Sequence, residues 1–271
     1  MNSFLVRLRF HGGLTFFLKS PGCETVERTL KEKTSIKDVI ESCGIPHPEV
    51  DVILINGEPV DFARTIDREM NVDVYPVEAS PLLFRAQRLQ QRGLTRFVAD
   101  GHLGKLTRDL RLLGFDVLYD RDPPDRQLLE LITIDQPSQS YGSAGQPSVA
   151  AASYGSKGHR ALLTRDRRLL MHSIVEHGYY LRSQEPLEQT IEILRRFDLF
   201  DLIRPFTRCL RCNALLQPID KNTVIDRLEP LTKIYYHDFR RCTGCGQLYW
   251  PGSHFGKLQT RIQKIRSRFE E

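Results

Sequence analysis

Two sets of residues in this chain have the types and spacing that do chemistry. The first is the pair of knuckles "RCLRCNA" and "RCTGCGQ", which give Cys209-x₂-Cys212 and Cys242-x₂-Cys245. Each knuckle is a tight turn that offers two thiolates to one ion, and Gly244 and Gly246 ease the backbone of the second. Four sulfurs match a tetrahedral, structural Zn²⁺. A redox dithiol is the alternative; a catalytic zinc would need an open position that four cysteines do not leave. The stretches "VIDRLEPL" and "KIYYHDF" between the knuckles suffice for a small hairpin.

The second set is acidic. Asp100 follows "RFVA", Asp166 follows "ALLTR", and Asp125 opens "DRQLLELI". In a parallel α/β sheet, ligand sites form beyond the carboxyl ends of the strands. Three acids from three βα connections can therefore converge, and their mutual repulsion calls for a hard cation, Mg²⁺ or Mn²⁺. Such ions activate water and stabilise charge as a phosphodiester is cut. The competing reading is local, because aspartate at a βα junction is a preferred N-cap. Asp166 then caps "RRLLMHSIVEH" and Asp125 caps "RQLLELI". Asp109, four residues after Lys105, reads as an i,i+4 ion-pair partner.

These residues need elements to position them. Residues 96–205 alternate short strands with helices: "RFVA", a helix over 103–113, "FDVLY", "DRQLLELI", "ALLT", "DRRLLMHSIVEH", "YYLR" and "PLEQTIEILRRF". That rhythm implies a parallel sheet covered on both faces. Within the 103–113 helix, Leu103, Leu106, Leu110 and Leu113 share one face, while Lys105, Arg108 and Arg111 share the other. These three cations and Arg165 are the candidate phosphate contacts. The segment 135–158, rich in Ser, Gly, Ala, Gln and Pro and without periodicity, reads as a disordered insertion. Residues 80–95 read as a basic connector, and 206–271 as the cysteine module followed by a basic amphipathic helix.

Residues 1–79 read as two strands, a helix and two or three more strands. "FLVRLRFHGGLTFFLK" alternates with period two around a Gly12-Gly13 break, a hairpin signal. Ser35 caps "IKDVIESCG", and Asn56-Gly57 joins two strands in a second hairpin. This order resembles the β-grasp fold of ubiquitin and of the small sulfur carriers. Those carriers react through a free C-terminal Gly-Gly, which this continuing chain lacks, so a binding or scaffolding role is expected instead.

"FVADGHLGKLTRDLRLLGFDVLYD", "ALLTRDRRLL" and "CNALLQPI…CGQLYWPGSH" together resemble the Mut-seven C-terminal ribonuclease family. Its members combine a PIN-like nuclease fold with a zinc ribbon, and some carry an N-terminal ubiquitin-like domain. The resemblance implies an α/β chain of β-grasp domain, PIN-like α/β/α domain and zinc ribbon, acting as a metal-dependent ribonuclease. It places the metal-holding acids at Asp100, Asp125 and Asp166. The glutamate common in PIN domains has no counterpart here, which keeps a non-catalytic RNA-binding adaptor open, its β-grasp domain docking a protein partner.

Charge agrees with an RNA partner. Residues 1–79 carry 9 Lys and Arg against 13 Asp and Glu, whereas the remainder carries 30 against 21. An acidic module joined to a basic one suits a polyanionic ligand. No run approaches about 20 apolar residues, so no membrane span is expected. The N-terminus reads as a strand rather than a signal peptide, so a cytoplasmic protein is expected. The oligomeric state stays open.

Overall fold

The computed structural model describes residues 3–20, 22–133 and 160–270. The expected insertion at 135–158 lies outside the described residues. The chain divides into two compact units that do not follow its linear order: 1–92 with 161–180, and 93–160 with 181–271.

The first unit is built on a five-stranded mixed sheet of order β2-β1-β7-β4-β5. Its elements are β1 (Phe4–Phe10), β2 (Thr25–Leu30), β3 (Thr34–Ser35), α1 (Ile36–Ser42), β4 (Val52–Ile55), β5 (Glu58–Val60), β6 (Thr65–Ile66) and β7 (Met70–Tyr75). β1 runs parallel to β7, whereas its other neighbour and the β4 pairings are antiparallel. This is the ubiquitin-like arrangement. Ser35 caps α1 by accepting from the Asp38 N–H. Asn56 and Gly57 both take positive φ (51° and 88°), as a type I′ hairpin turn requires. The first hairpin differs from expectation. Gly12–Phe17 is a 3₁₀ segment, and the strand that pairs with β1 begins only at Thr25. Leu14 and Phe17, three apart, both enter the core; a 3₁₀ turn brings such a pair onto one side, and alternating strand geometry would separate them.

The central elements are β8 (Arg96–Ala99), α2 (Gly104–Leu112), β9 (Asp116–Tyr119), α3 (Asp125–Ile132), β10 (Ala161–Thr164), α4 (Arg167–Leu170), β11 (Gly178–Tyr180) and α5 (Pro186–Phe197). β8 pairs with β9 and β10 with β11, both in parallel, as the βα rhythm requires. The helix expected over "DRRLLMHSIVEH" is shorter: α4 ends at Leu170. β-Branched Ile174 and Val175 favour helix weakly, and the chain must turn back by His177, whose carbonyl accepts the Leu162 N–H.

The stretch from β10 to β11 packs into the first unit's core. Tyr180 lies against that core and close to the Phe16 and Phe17 rings. The Tyr180 N–H donates to Glu49 Oε1 at 2.6 Å, and His47 Nε2 lies 2.6 Å from the Val175 carbonyl. Arg167 donates to the Phe17 carbonyl and stands over the Phe17 ring.

In the second unit the chain continues as β12 (Leu216–Ile219), α6 (Lys221–Val224), α7 (Pro230–Tyr235), β13 (Phe239–Cys242), β14 (Leu248–Tyr249) and α8 (Phe255–Glu270). β12, β13 and β14 form an antiparallel ribbon. α8 is fastened to α2 and α5. Arg261 donates to both carboxylate oxygens of Asp109, Arg268 pairs with Glu188, and Phe269 stacks on Phe200 at 4.4 Å. Asp109 is therefore a long-range partner of Arg261, not of Lys105.

The charged centre of this unit is Asp116, only 4% exposed. Arg160, fully buried, donates to its two oxygens at 2.8 and 3.1 Å, and Asn213 Nδ2 donates at 2.7 Å. Arg208 stands 3.6 Å away. Burial alone would raise the Asp116 carboxyl, but the bond to Arg160 and the nearby guanidinium charges outweigh it and lower its pKa. A lowered folded-state pKa means that this contribution to stability is present above the ordinary aspartate range and is lost as pH falls through the folded value. Asp116→Asn strands the Arg160 charge, and calorimetry should show a loss of about 3–5 kcal/mol at neutral pH. An unchanged melting temperature would refute this account of the centre.

Candidate functional site

Asp100 directly follows β8. It is the N-cap of the short turn Gly101–Leu103, and its Oδ1 accepts the Gly101 N–H at 2.6 Å. Gly101 has no room for a side chain, because a Cβ would meet the Arg121 carbonyl oxygen at 2.5 Å. The Tyr119 hydroxyl donates to the Gly101 carbonyl and ties the same turn to the end of β9. The run Asp-Gly thus sets a carboxylate at the end of a strand on a tightly packed turn.

Asp166, two residues beyond β10, caps α4. Its Oδ1 accepts from Arg168 N and Leu169 N, which leaves Oδ2 outside the cap. Asp125 is exposed in the first turn of α3, where Pro124 holds the cap position in its place. Two of the three acids thus fulfil the cap reading, and all three stand at βα connections. Among the described residues no set of three carboxylates is gathered closely enough to hold one ion.

The basic candidates separate. Lys105 and Arg108 on α2 are exposed, as is Arg165 before Asp166. Arg111 is not a surface cation: it is 6% exposed and donates to the Val117, Leu210 and Arg211 carbonyls. It fastens α2 to β9 and to the first cysteine knuckle. Its position on the polar face of the helix pointed outward, but at Arg111 the first cysteine knuckle lies against that face.

The four cysteines do come together. Their sulfurs all lie within 4.8 Å of one another, with Cys212–Cys242 at 3.3 Å and Cys209–Cys245 at 3.7 Å. A tetrahedral ZnS₄ centre with Zn–S near 2.3 Å has S–S edges of about 3.8 Å, so the group fits a metal such as zinc. Burial pushes the Cys209 thiol up, but the Tyr249 hydroxyl and the backbone N–H groups of the knuckle outweigh it and bring its pKa down to about 7. Burial raises Cys242 and Cys245, and their bonds to neighbouring cysteines push Cys242 further up. Four thiolates are thus held together only when a cation compensates them.

Sequence reasoning missed two supporting residues here. Tyr249 Oη donates toward Cys209 Sγ at 3.1 Å while accepting the Leu210 N–H at 3.2 Å. Asn213, with φ +71°, closes the first knuckle by bonding the Cys209 carbonyl and reaches Asp116 and Val117 N. Asparagine directly after a C-x₂-C pair was the available signal, since asparagine tolerates left-handed backbone.

A ubiquitin-like sheet, βα units with parallel strands, and an antiparallel ribbon bearing a Cys₄ group define a mixed α/β protein with a cluster consistent with a zinc ribbon. Residues 95–136 and 143–262 match the Mut7-C RNAse domain, and residues 3–81 match the Mut7-C ubiquitin domain. These matches span more than half of the chain, which belongs to the Mut7-C RNAse family and has a nuclease-like function. No curated protein matches the chain at a significant level. No described helix is long and apolar enough to cross a membrane.

Elemental analysis of the purified chain should find one zinc-like ion per molecule. Cys242→Ser should lose it, and Tyr249→Phe should weaken binding by about 10–100-fold. Equal metal content in wild type and Cys242→Ser would sink the assignment.

Proposed function

We propose that the protein is a metal-dependent ribonuclease of PIN type, with a structural zinc in the ribbon that assists RNA binding. What carries the reading is that the RNAse match includes Asp100, Asp125 and Asp166, each at a βα connection. Mg²⁺ keeps several waters and needs only one or two direct carboxylates, so these acids would hold it or Mn²⁺ without all three touching the ion, which would supply an activated water and neutralise charge on the phosphodiester. Oxygen-only donors suit such hard cations. The chain's own contribution is positional. Backbone N–H bonds fix one oxygen each of Asp100 and Asp166, and Lys105, Arg108 and Arg165 are exposed to take the RNA backbone. Thiolates kept for a metal suit a reducing compartment such as the cytoplasm.

A second reading draws on the caps. If the acids serve only to start helices, the chain is an RNA-binding adaptor whose ubiquitin-like domain docks a protein. Asparagine caps a helix about as well as aspartate but carries no charge, so Asp→Asn separates the two. Asp100→Asn and Asp166→Asn should retain wild-type melting and lose on the order of a hundredfold of Mn²⁺-dependent cleavage of single-stranded RNA. Equal cleavage by all three proteins would overturn the nuclease assignment. Salt-sensitive RNA binding without any cleavage would select the adaptor.

A further inference from the structure

The ribbon bears a cavity of about 830 Å³ that shares only Arg108 with the nuclease reading. Its walls include Tyr249, Trp250, His254 and Phe255, with Arg108 of α2 and Arg240 of β13 beside them. Asp238 is the one carboxylate among the lining residues. We propose that this cavity binds unstacked bases of single-stranded RNA, with the aromatic side chains stacking on the bases and Arg108 and Arg240 meeting the phosphates.

Three observations carry this. First, the platform is held in place. Tyr249 is locked by its two hydroxyl bonds to the first knuckle. Trp250 is 37% exposed, and Gly252 packs on its indole so closely that a Cβ would stand 2.7 Å from Nε1. Rigid, partly exposed aromatic rings stack on bases of any sequence, because every base has a π-face.

Second, the charge fits. Residues 206–271 carry 12 Lys and Arg against 6 Asp and Glu. Arg211 and Arg241 are also exposed on the knuckles. An acidic or neutral peptide would satisfy fewer of these groups than a phosphate chain threaded past aromatic rings.

Third, the cavity joins the ribbon to the helix that follows Asp100. Arg108 is the exposed cation on α2 that the sequence pattern singled out, and it lines this cavity. A strand seated here runs beside the helix that begins four residues after Asp100. The inference rests on RNA as the ligand, not on the metal chemistry of the acids.

Trp250 is the only tryptophan, so its fluorescence reports on the cavity alone. The test uses the full chain carrying Asp100→Asn, in buffer free of Mg²⁺ and Mn²⁺. An oligouridylate hexamer is compared with an abasic ribose-phosphate hexamer of equal charge. The uridylate should quench Trp250 and bind at least about fivefold more tightly than the abasic oligomer. Followed by anisotropy of a labelled hexamer, Trp250→Leu and Gly252→Ala should each weaken binding by about fivefold or more. Arg108→Ala should lower the salt slope of binding by about one. No binding, or equal binding of both hexamers without quenching, would overturn the proposal. Quenching by uridylate alongside a wild type that never cleaves RNA would leave the cavity assigned and remove the nuclease reading. Cleavage by wild type with no quenching would do the reverse.

Discussion

The second unit is organised around one carboxylate taken out of water. Leaving Asp116 buried and unpaired would cost several kcal/mol, and its position at the start of β9 gives it no solvent to fall back on. The solution draws three groups from two distant places in sequence: Arg160 before β10, and Arg208 and Asn213 on either side of the first cysteine pair. Once those partners are fixed, the ribbon is fixed to β9. Asn213 carries this furthest, because the same side chain that satisfies Asp116 also accepts the Val117 N–H and sits in the turn that presents Cys209 and Cys212. A second cation completes the arrangement. Burial lowers the Arg111 pKa while the Cys212 and Cys209 thiolates raise it, and its guanidinium is spent on carbonyls of β9 and the knuckle. A divalent ion bound by four thiolates would retain two negative charges, and Arg111, which senses the Cys212 and Cys209 charges, stands where it would compensate them.

What could be read from the sequence followed from local rules. The Asn56-Gly57 hairpin, the Ser35 cap, the βα alternation after residue 95 and the four-cysteine group are each set by a few neighbouring residues. Their geometry is therefore legible without tertiary information. The misreadings share one cause, contact between residues far apart in the chain. Arg111 has the spacing of a solvated face, but the ribbon lies against it. Asp109 has an i,i+4 lysine available, yet Arg261 supplies a bidentate pair in a less exposed place. The second strand of the first hairpin was misplaced because the Gly12-Gly13 break reads as a hairpin turn, whereas Leu14 and Phe17, three apart, reach the core together only from a 3₁₀ turn. The basic tail loses two of its cations, Arg261 and Arg268, to ion pairs with Asp109 and Glu188. That leaves fewer free charges for a polyanion than the sequence suggests, and it moves attention from the tail to the ribbon.

For the candidate acids, sequence and structure agree on place and leave chemistry to residue type. A cap and a metal ligand make different demands on a carboxylate. The cap needs one oxygen aimed at backbone N–H groups, whereas the ligand needs an oxygen aimed outward with a full negative charge. Asp166 meets the first demand through Oδ1 and has Oδ2 outside the cap, so the two roles do not compete for the same atom. The cap even serves the ligand, since N–H bonds fix the carboxylate plane. A serine or threonine would start α4 as well and hold no charge. Aspartate at the end of β8 and again just past β10 is therefore compatible with both roles.

The ubiquitin-like domain poses the same question at a larger scale. It continues into the next segment of the chain rather than ending in a Gly-Gly pair, and its core does specific structural work. Glu49 takes the Tyr180 N–H, His47 meets the Val175 carbonyl, and Arg167 is held by the Phe17 carbonyl and ring. Arg167 is the residue after Asp166, so the turn bearing that acid is anchored one bond away by a side chain from α4 and a carbonyl from the N-terminal domain. The β10–β11 pair is only 4 and 3 residues long and α4 is a single turn. Elements this short bury too little surface to hold a fixed geometry by themselves. The aromatic and ionic contacts of the β-grasp core supply the missing order, which gives the domain a function within its own chain before any partner is invoked.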